Sequence, residues 1–344
     1  QMFGLTGLRP WQQQRVRLGA SADGRLAAIG HEALIYSNRN DPFVEQTATV
    51  TRSLYAAPHR LTRHQSFHLD LPNGEAVRAP GEMTGLLAVE IAMDELAEKL
   101  SIDPVELRFL NDTTSDPETG VPLTGRDLGE CLRTGAERFG WSERGAKPGE
   151  RRDGQWLIGM GVASAIRFHF QGSAEVEVAI RPNGRIEVRS DLTDIGTGSY
   201  TILAQIAAEL LGQQVEDIDV TLAHSSLPPG GGSGGSWGAP NTATALHRAC
   251  LSLLERAGVS PSPNFIADVL KANPSGLMAT GTIASSANTA DWEAKSRHTY
   301  GAHFIEVGVH SLTGEVRIRR MLGVFSAGRI LNPKTARSQL LGGM

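Results

Sequence analysis

Two glycine-rich turns and one arginine carry the residue types best suited to hold or act on a ligand in this chain. The stretch Asp191-Leu192-Thr193-Asp194-Ile195-Gly196-Thr197-Gly198-Ser199-Tyr200-Thr201 reads as a strand end, a turn and a helix start. Ile186, Val188 and Leu192 alternate with polar residues ahead of it. Ile202, Leu203, Ile206, Ala207, Leu210 and Leu211 form a helical stripe behind it, closed by Gly212. Two glycines one residue apart let backbone approach a ligand closely, and the first amides of a helix are aimed at an anion. Spacing alone leaves a plain tight turn and an anion site both open. The second turn, 225–238, holds Gly230, Gly231, Gly232, Gly234, Gly235 and Gly238 between a strand and a helix. Composition leaves it as either a mobile surface loop or a ligand cradle. Neither turn contains the Gly-Lys-Ser/Thr of a nucleotide P-loop, and neither sits in a Rossmann dinucleotide unit. Arg78 lies between Val77 and Ala79-Pro80-Gly81, just ahead of a helix, and reads as a surface ion-pair partner or a substrate clamp. His68, His169, His224, His298 and His303 show no metal-ligand spacing and read as structural or surface residues. No nucleophile elbow, Ser/Lys pair or Cys/His pair is visible.

The totals bound the function classes. The 344 residues suffice for a large core, with two domains as the prior. A net charge of −4 without a basic run argues against a nucleic-acid partner. No apolar run approaches the roughly 20 residues of a membrane span. The start, Gln1-Met2-Phe3-Gly4, has neither an initiator Met nor a signal pattern and reads as an internal start. The cytoplasm is then the default compartment, with co-export beside a partner subunit as the alternative. Cys131 and Cys250 are too far apart in sequence for a Cys-x-x-Cys metal or iron–sulfur site and read as small core hydrophobes.

The elements that must position these residues alternate between strands and helices. Residues 15–32 predict a hairpin turning at Ala22-Asp23-Gly24, and 47–71 predict strand, most clearly over 66–71. A loop over 72–82 leads to a helix at 83–100. The apolar side of that helix is Met83, Leu86, Leu87, Ile91, Met93, Leu96 and Leu100. Asp103, Pro104 and Glu106 signal the start of a second helix, and a third covers 127–139, ending near Gly140. The charged stretch 142–154, with Gly145, Pro148, Gly149 and Gly154, predicts a linker between two lobes. Beyond it come a buried strand at 157–165, a hairpin across Pro182-Asn183-Gly184, and a strand at 215–222. Asn241 predicts the cap of a helix over 242–257 that Gly258 ends. Residues 259–300 predict a surface excursion with one short helix near 264–272. A last hairpin turns at Ser311-Leu312-Thr313-Gly314. The class is α+β, a mixed α/β chain of two lobes with mixed β-sheets, recurrent hairpins and packed helices.

Taken in order, Val77-Arg78-Ala79-Pro80-Gly81-Glu82, the 194–201 turn with its helix to Gly212, 230–239, Tyr300-Gly301-Ala302-His303-Phe304-Ile305-Glu306-Val307, and Ile330-Leu331-Asn332-Pro333 through Gln339-Leu340-Leu341-Gly342-Gly343 resemble the molybdenum-cofactor subunit of the xanthine dehydrogenase and aldehyde oxidase family. The closest likeness is to bacterial aldehyde oxidoreductases with a separate molybdenum subunit. The resemblance implies a molybdenum–molybdopterin cofactor in its cytosine dinucleotide form, its metal held by the pterin dithiolene rather than by protein. It implies oxidation of a small aldehyde to a carboxylic acid with water as the oxygen source. Electrons then pass to Fe-S and FAD partner subunits of a heterotrimer-type complex. It divides the chain into a first molybdopterin-binding lobe at 1–141 and a second at 155–344.

Carried over residue by residue, the resemblance makes Arg78 the arginine near molybdenum that places or polarises substrate and cofactor. Gly196, Thr197 and Gly198 become a cofactor-binding turn, Gly234, Gly235 and Ser236 the loop touching the pterin, and Gln339 a pterin-binding glutamine. Three departures stand beside it. Xanthine dehydrogenases often carry Gln where this chain has Thr197. The family's Gly-Gly-Phe-Gly segment is absent. Its catalytic base, a Glu in a Gly-x-Gly-Glu motif, would follow Met344, so the chain reads as an excised middle that folds without turning over alone. Two other readings stand beside this one: a non-catalytic anion-binding or scaffold module of the same fold, and hydroxylation of an N-heterocycle in place of an aldehyde.

Overall fold

The computed structural model describes residues 6–285 and 294–344. The reading of Gln1-Met2-Phe3-Gly4 as an internal start, and the 286–293 part of the 259–300 excursion, lie outside those residues. Contacts divide the chain into two compact units, Gln1–Phe168 with Ala294–Gly328, and His169–Glu293 with Arg329–Met344.

In the first unit the hairpin at 15–32 forms and extends both ways. Strand β1 (Gln12–Ala20) pairs antiparallel with β2 (Leu26–Asn38) across a turn in which Gly24 takes φ 90°. Short helical turns over 47–53 replace the first part of the strand expected at 47–71, and β3 (His59–Leu69) then joins β2 in parallel. Helix α1 (Glu82–Leu100) and helix α2 (Pro104–Leu110) follow. The Asp103 carboxylate accepts the amides of Val105 at 2.8 Å and Glu106 at 3.3 Å, the N-cap its residue type predicts.

The apolar side expected for α1 is only partly the buried one. Val89, Met93 and Ala97 are buried with Thr84, Gly85 and Glu90, whereas Met83, Leu87 and Ile91 are 52%, 61% and 52% exposed. Close approach explains this. A Cβ on Gly85 would stand 2.0 Å from the Thr47 carbonyl oxygen, so small residues face the neighbouring backbone and large ones turn outward. Glu90 tolerates burial because it is fully partnered. It accepts from the Tyr55 hydroxyl at 2.6 Å, Arg108 Nε at 2.9 Å and the Ser164 amide at 2.6 Å.

Strand β4 (Leu123–Thr124) and helix α3 (Leu128–Phe139) come next, and Gly140 ends α3 at φ 70°. The stretch 142–154, expected as a linker, holds β5 (Arg151–Asp153), which pairs antiparallel with β6 (Trp156–Phe168). The units therefore part after β6 rather than at 142–154. The polar, Gly- and Pro-bearing composition there belongs to a surface approach to an edge strand.

In the second unit β7 (Ala174–Ile180) and β8 (Ile186–Arg189) make the hairpin expected across 182–184. Helix α4 (Ser199–Leu211) ends at Gly212, φ 66°, and β9 (Ile218–Thr221) lies parallel to β8. Helix α5 (Gly238–Ala257) begins three residues before the cap read at Asn241, which instead sits inside the first turn. Helix α6 (Phe265–Ala272) leads to β10 (Leu277–Ile283), which pairs with β7 and completes the order β10-β7-β8-β9. The excursion expected at 259–300 thus contains a sheet strand. Its inward positions, Ala279, Gly281 and Ile283, are mostly small because α5 lies on them; a Cβ on Gly281 would be 2.2 Å from the Ala245 carbonyl oxygen. Val176, Val178, Ile186, Val188, Leu203 and Leu246 form the core between sheet and helices.

The chain returns to the first unit with β11 (Ser296–His310) and β12 (Val316–Ser326), the hairpin expected across 311–314. They complete the order β12-β11-β6-β5, with β4 beside β11. The last element, α7 (Pro333–Gly343), belongs to the second unit. Asn332 caps it by accepting the amides of Lys334 and Thr335, both at 3.0 Å. No helix was read there from the sequence. Cys131 and Cys250 are both buried, as their reading as core residues requires, and burial pushes the Cys250 thiol up to about 12.

Candidate functional site

Arg78 lies in the loop between β3 and α1, with its side chain at the surface of the first unit. The loop is held from beneath by residues far away in sequence. Arg9 donates to the carbonyls of Val77 and Arg78, both at 2.8 Å, and pairs with Glu45. Glu45 is 1% exposed and accepts the Gly81 amide at 2.9 Å and Gln12 Nε2 at 3.1 Å. Ala79 takes φ 54° and Gly81 φ 90°. A non-glycine residue at positive φ is uncommon and persists where its surroundings fix it. Arg9 and Glu45 do this fixing, and they lie outside the sequence-derived site set. No local signal marks them, because each lies 30 or more residues from the loop it holds.

Close by, a cavity of about 320 Å³ within the first unit is lined by Val50, Pro80, Ile166, Phe168, Asp116 and His298. Burial holds the His298 imidazole down at about 4, despite the nearby Asp116 carboxylate, so the ring is neutral at neutral pH.

The second unit gathers the other candidates. Gly196 and Gly198 take φ 93° and 87°, so the turn before α4 demands glycine at both. The Asp194 carboxylate sits inside this turn. Its oxygens accept the amides of Gly196 at 2.8 Å, Thr197 at 2.9 Å, Gly198 at 3.3 Å and Ser199 at 2.8 Å. Desolvation raises the Asp194 pKa, but those four amides outweigh it and hold the carboxyl below its ordinary value. The amides expected to face a ligand anion are thus engaged by the chain's own carboxylate.

The 230–238 loop packs against the segment that leads from β8 into that turn. The Gly230 amide donates to Asp191, and the Ser233 hydroxyl to the Thr193 carbonyl. Ser236 takes φ 65°, a conformation uncommon for a non-glycine residue. At Gly234 neither a positive φ nor crowding requires glycine; a Cβ there would meet nothing within 4 Å. Asn241, 2% exposed at the start of α5, has a side-chain Nδ2 that finds no hydrogen-bond partner among the described residues. Helix α7, which carries the exposed Gln339, docks on the same turn: a Cβ on Gly198 would be 2.8 Å from Thr335 Cγ2. Asn332 Nδ2 also donates to Gln205 at 3.0 Å, and Arg329 pairs with Glu209 at 2.7 Å.

The fold therefore draws Gly196, Thr197, Gly198, Gly234, Gly235, Ser236 and Gln339 into one unit and carries Arg78 on the other. Asp194 and Asn241 join the second-unit candidates. Asp194 had a local signal, an acidic residue two before the first glycine of a helix-start turn. Among the described residues no group of three or more His, Cys, Asp or Glu is arranged to hold a metal ion, and no helix is long and apolar enough to cross a membrane.

Two family models, both described as a molybdopterin cofactor-binding domain, match residues 1–112 and 134–344. The chain is 47% identical to the aldehyde oxidoreductase molybdenum-binding subunit PaoC of Escherichia coli O157:H7, over 98% of this chain and 48% of that protein. It is 27% identical to the putative xanthine dehydrogenase molybdenum-binding subunit XdhA of Escherichia coli K12, over 95% of this chain and 48% of that one. Among solved structures, the aldehyde oxidoreductase of Desulfovibrio gigas superposes with a TM-score of 0.82 at 23% identity, over 99% of this chain and 39% of that one. This last likeness concerns the fold alone. The chain spans about half the length of the curated relatives it matches.

Proposed function

The chain belongs to the molybdopterin cofactor-binding family of the xanthine dehydrogenases and aldehyde oxidoreductases, and from that premise we propose that it is the cofactor-holding part of an enzyme oxidising small aldehydes to carboxylic acids. The observation that carries the reading is the gathering of both glycine turns and the Gln339 helix into one unit. The residues present fit an anionic pterin. Asn241 offers a buried donor with no acceptor of its own, and leaving such a donor unmet costs about 1–3 kcal/mol. Gly234 leaves open space in a loop where the protein does not require a glycine.

The molybdenum pterin would supply the two-electron oxidation of the substrate carbon, with water as oxygen source. Gly196, Thr197, Gly198, Gly234, Gly235, Ser236 and Gln339 would hold it. The planar guanidinium of Arg78, on a loop braced by Arg9 and Glu45, would place or polarise substrate and cofactor. The cytosine dinucleotide form and Fe-S and FAD partner subunits belong to the same proposal, as does the reading of the chain as two cofactor-binding lobes. An aldehyde substrate is preferred over an N-heterocycle because the relative at 47% identity is named for aldehydes and the xanthine-named one stands at 27%.

The test uses the complete polypeptide that contains this sequence. Molybdenum is measured by elemental analysis, the pterin by fluorescence after oxidation and the nucleotide by acid release of CMP. About one molybdenum, one pterin and one CMP per chain are expected, with faster turnover of benzaldehyde than of hypoxanthine. Protein lacking both metal and pterin would overturn the reading.

A further inference from the structure

The glycine turn before α4 has the form of an anion site, yet its anion is part of the chain. All four amides from Gly196 to Ser199 donate to the two oxygens of Asp194 at 2.8–3.3 Å. We infer that Asp194 is a positioning residue which fills this amide crown, so that the turn meets the cofactor through the Thr197 side chain and the bare Cα faces of Gly196 and Gly198 rather than through backbone N–H groups. This rests on the cofactor role proposed for the second unit.

Three observations support it. The bonds come from four consecutive residues to a single side chain, which leaves those donors with no vacancy for a phosphate. A phosphate at the same place would sit beside an ionised carboxylate, and like charges at such separation repel. The turn is also fixed from the other side. A Cβ on Gly198 would stand 2.8 Å from Thr335 Cγ2, so α7 packs directly on the turn. The Thr197 hydroxyl, 3.5 Å from an Asp194 oxygen and 3.4 Å from Ser199 Oγ, belongs to the exposed side chain between the two glycines. It stands where the resemblance places a glutamine in xanthine dehydrogenases. With its amides engaged, the turn has that side chain and its glycine faces left to present.

The experiment has two arms. In the first, the chain is labelled with 15N-glycine and titrated with inorganic pyrophosphate to millimolar concentration, as wild type and as Asp194→Ala. The wild-type Gly196 and Gly198 amide resonances are expected to stay in place, and those of the folded Asp194→Ala protein to move saturably. Equal movement in both proteins would show the amides free and overturn the inference. The wild-type titration needs no variant, so a failure of Asp194→Ala to fold leaves a decisive measurement.

In the second arm, molybdenum and CMP per chain are measured in the complete polypeptide carrying Asp194→Ala or Asp194→Asn. At least a tenfold loss is expected for Ala. Asn, which keeps one acceptor oxygen, should retain more. Full cofactor content in folded Asp194→Ala would overturn the positioning role. Wild-type protein without molybdenum would defeat the cofactor reading alone, with the amide result of the first arm still standing.

Discussion

Replacing Gly198 by alanine places a methyl group at the point where α7 rests on the turn before α4. Gly198 sits at φ 87°, ψ 31°, where an L-residue costs about 1–2 kcal/mol. The new Cβ would also lie 2.8 Å from Thr335 Cγ2, and overpacking of this kind costs about 1–3 kcal/mol. The two effects separate by a second substitution. Thr335→Ser deletes the offending methyl but keeps the hydroxyl that donates to the Asn332 carbonyl at 3.3 Å. In that background Gly198→Ala should cost only the backbone part, so a double-mutant cycle should give a coupling of about 1–3 kcal/mol. Hydrogen exchange of the amides in the first turn of α4 and in α7 reads this locally, which suits a chain of two units better than a single global melt. The same variant in the complete polypeptide should hold less molybdenum, because α7 carries Gln339. A coupling below roughly 0.5 kcal/mol, the range in which distant sites add, would refute the docking of α7 on the turn.

Three further outcomes follow from the same geometry. In the complete enzyme, Arg78→Lys keeps the charge and loses the planar fork, so kcat/KM for benzaldehyde should fall at least tenfold, about 1.4 kcal/mol, with molybdenum retained; unchanged rates would remove Arg78 from the site. His31 is fully buried between Thr51 at 2.7 Å and Gln14 at 3.0 Å, and burial holds its pKa at about 4 against 6.5. The native state thus keeps the neutral ring while the unfolded chain takes up a proton, so stability is full above pH 6.5 and lost as pH falls toward 4. Between pH 7 and 4.5 urea melts should show about 2–3 kcal/mol of this loss in wild type and not in His31→Asn; equal pH slopes would contradict it. Tyr55→Phe strips one donor from buried Glu90 and should cost about 1–3 kcal/mol by urea unfolding, whereas a neutral change would mean that the carboxylate finds another partner.

Much of the turn chemistry and capping is legible because it is local, although Asn241, read as a cap, lies inside the first turn of α5. Gly24, Gly140, Gly212 and Gly258 each take the positive φ expected where they end a strand or helix, and Asp103 caps α2 within three residues of itself. Burial was less legible. The exposure of Met83, Leu87 and Ile91 depends on how closely α1 approaches the 47–50 backbone, and no periodicity within the helix contains that distance. Strand β10 is hidden in the sequence for the same reason, since its inward residues are small to admit α5.

The sequence by itself determined the hairpins, most helix ends, the two glycine turns and, through the order of its motifs, the family. These depend on φ preferences, alternation and neighbours within a few residues. Only the tertiary structure decided what those parts do to one another. It bound the Arg78 loop to Arg9 and Glu45, set α7 against Gly198 and left Asn241 with an unmet donor. At Asp194 the two levels meet: the acidic residue and the glycines lie side by side in sequence, but which anion occupies the amides is settled by a folded geometry that brings both carboxylate oxygens within hydrogen-bond reach. Hydrogen bonds and close contacts are short-ranged in space and indifferent to separation along the chain, so the residues that complete the site are legible only once the fold has brought them together.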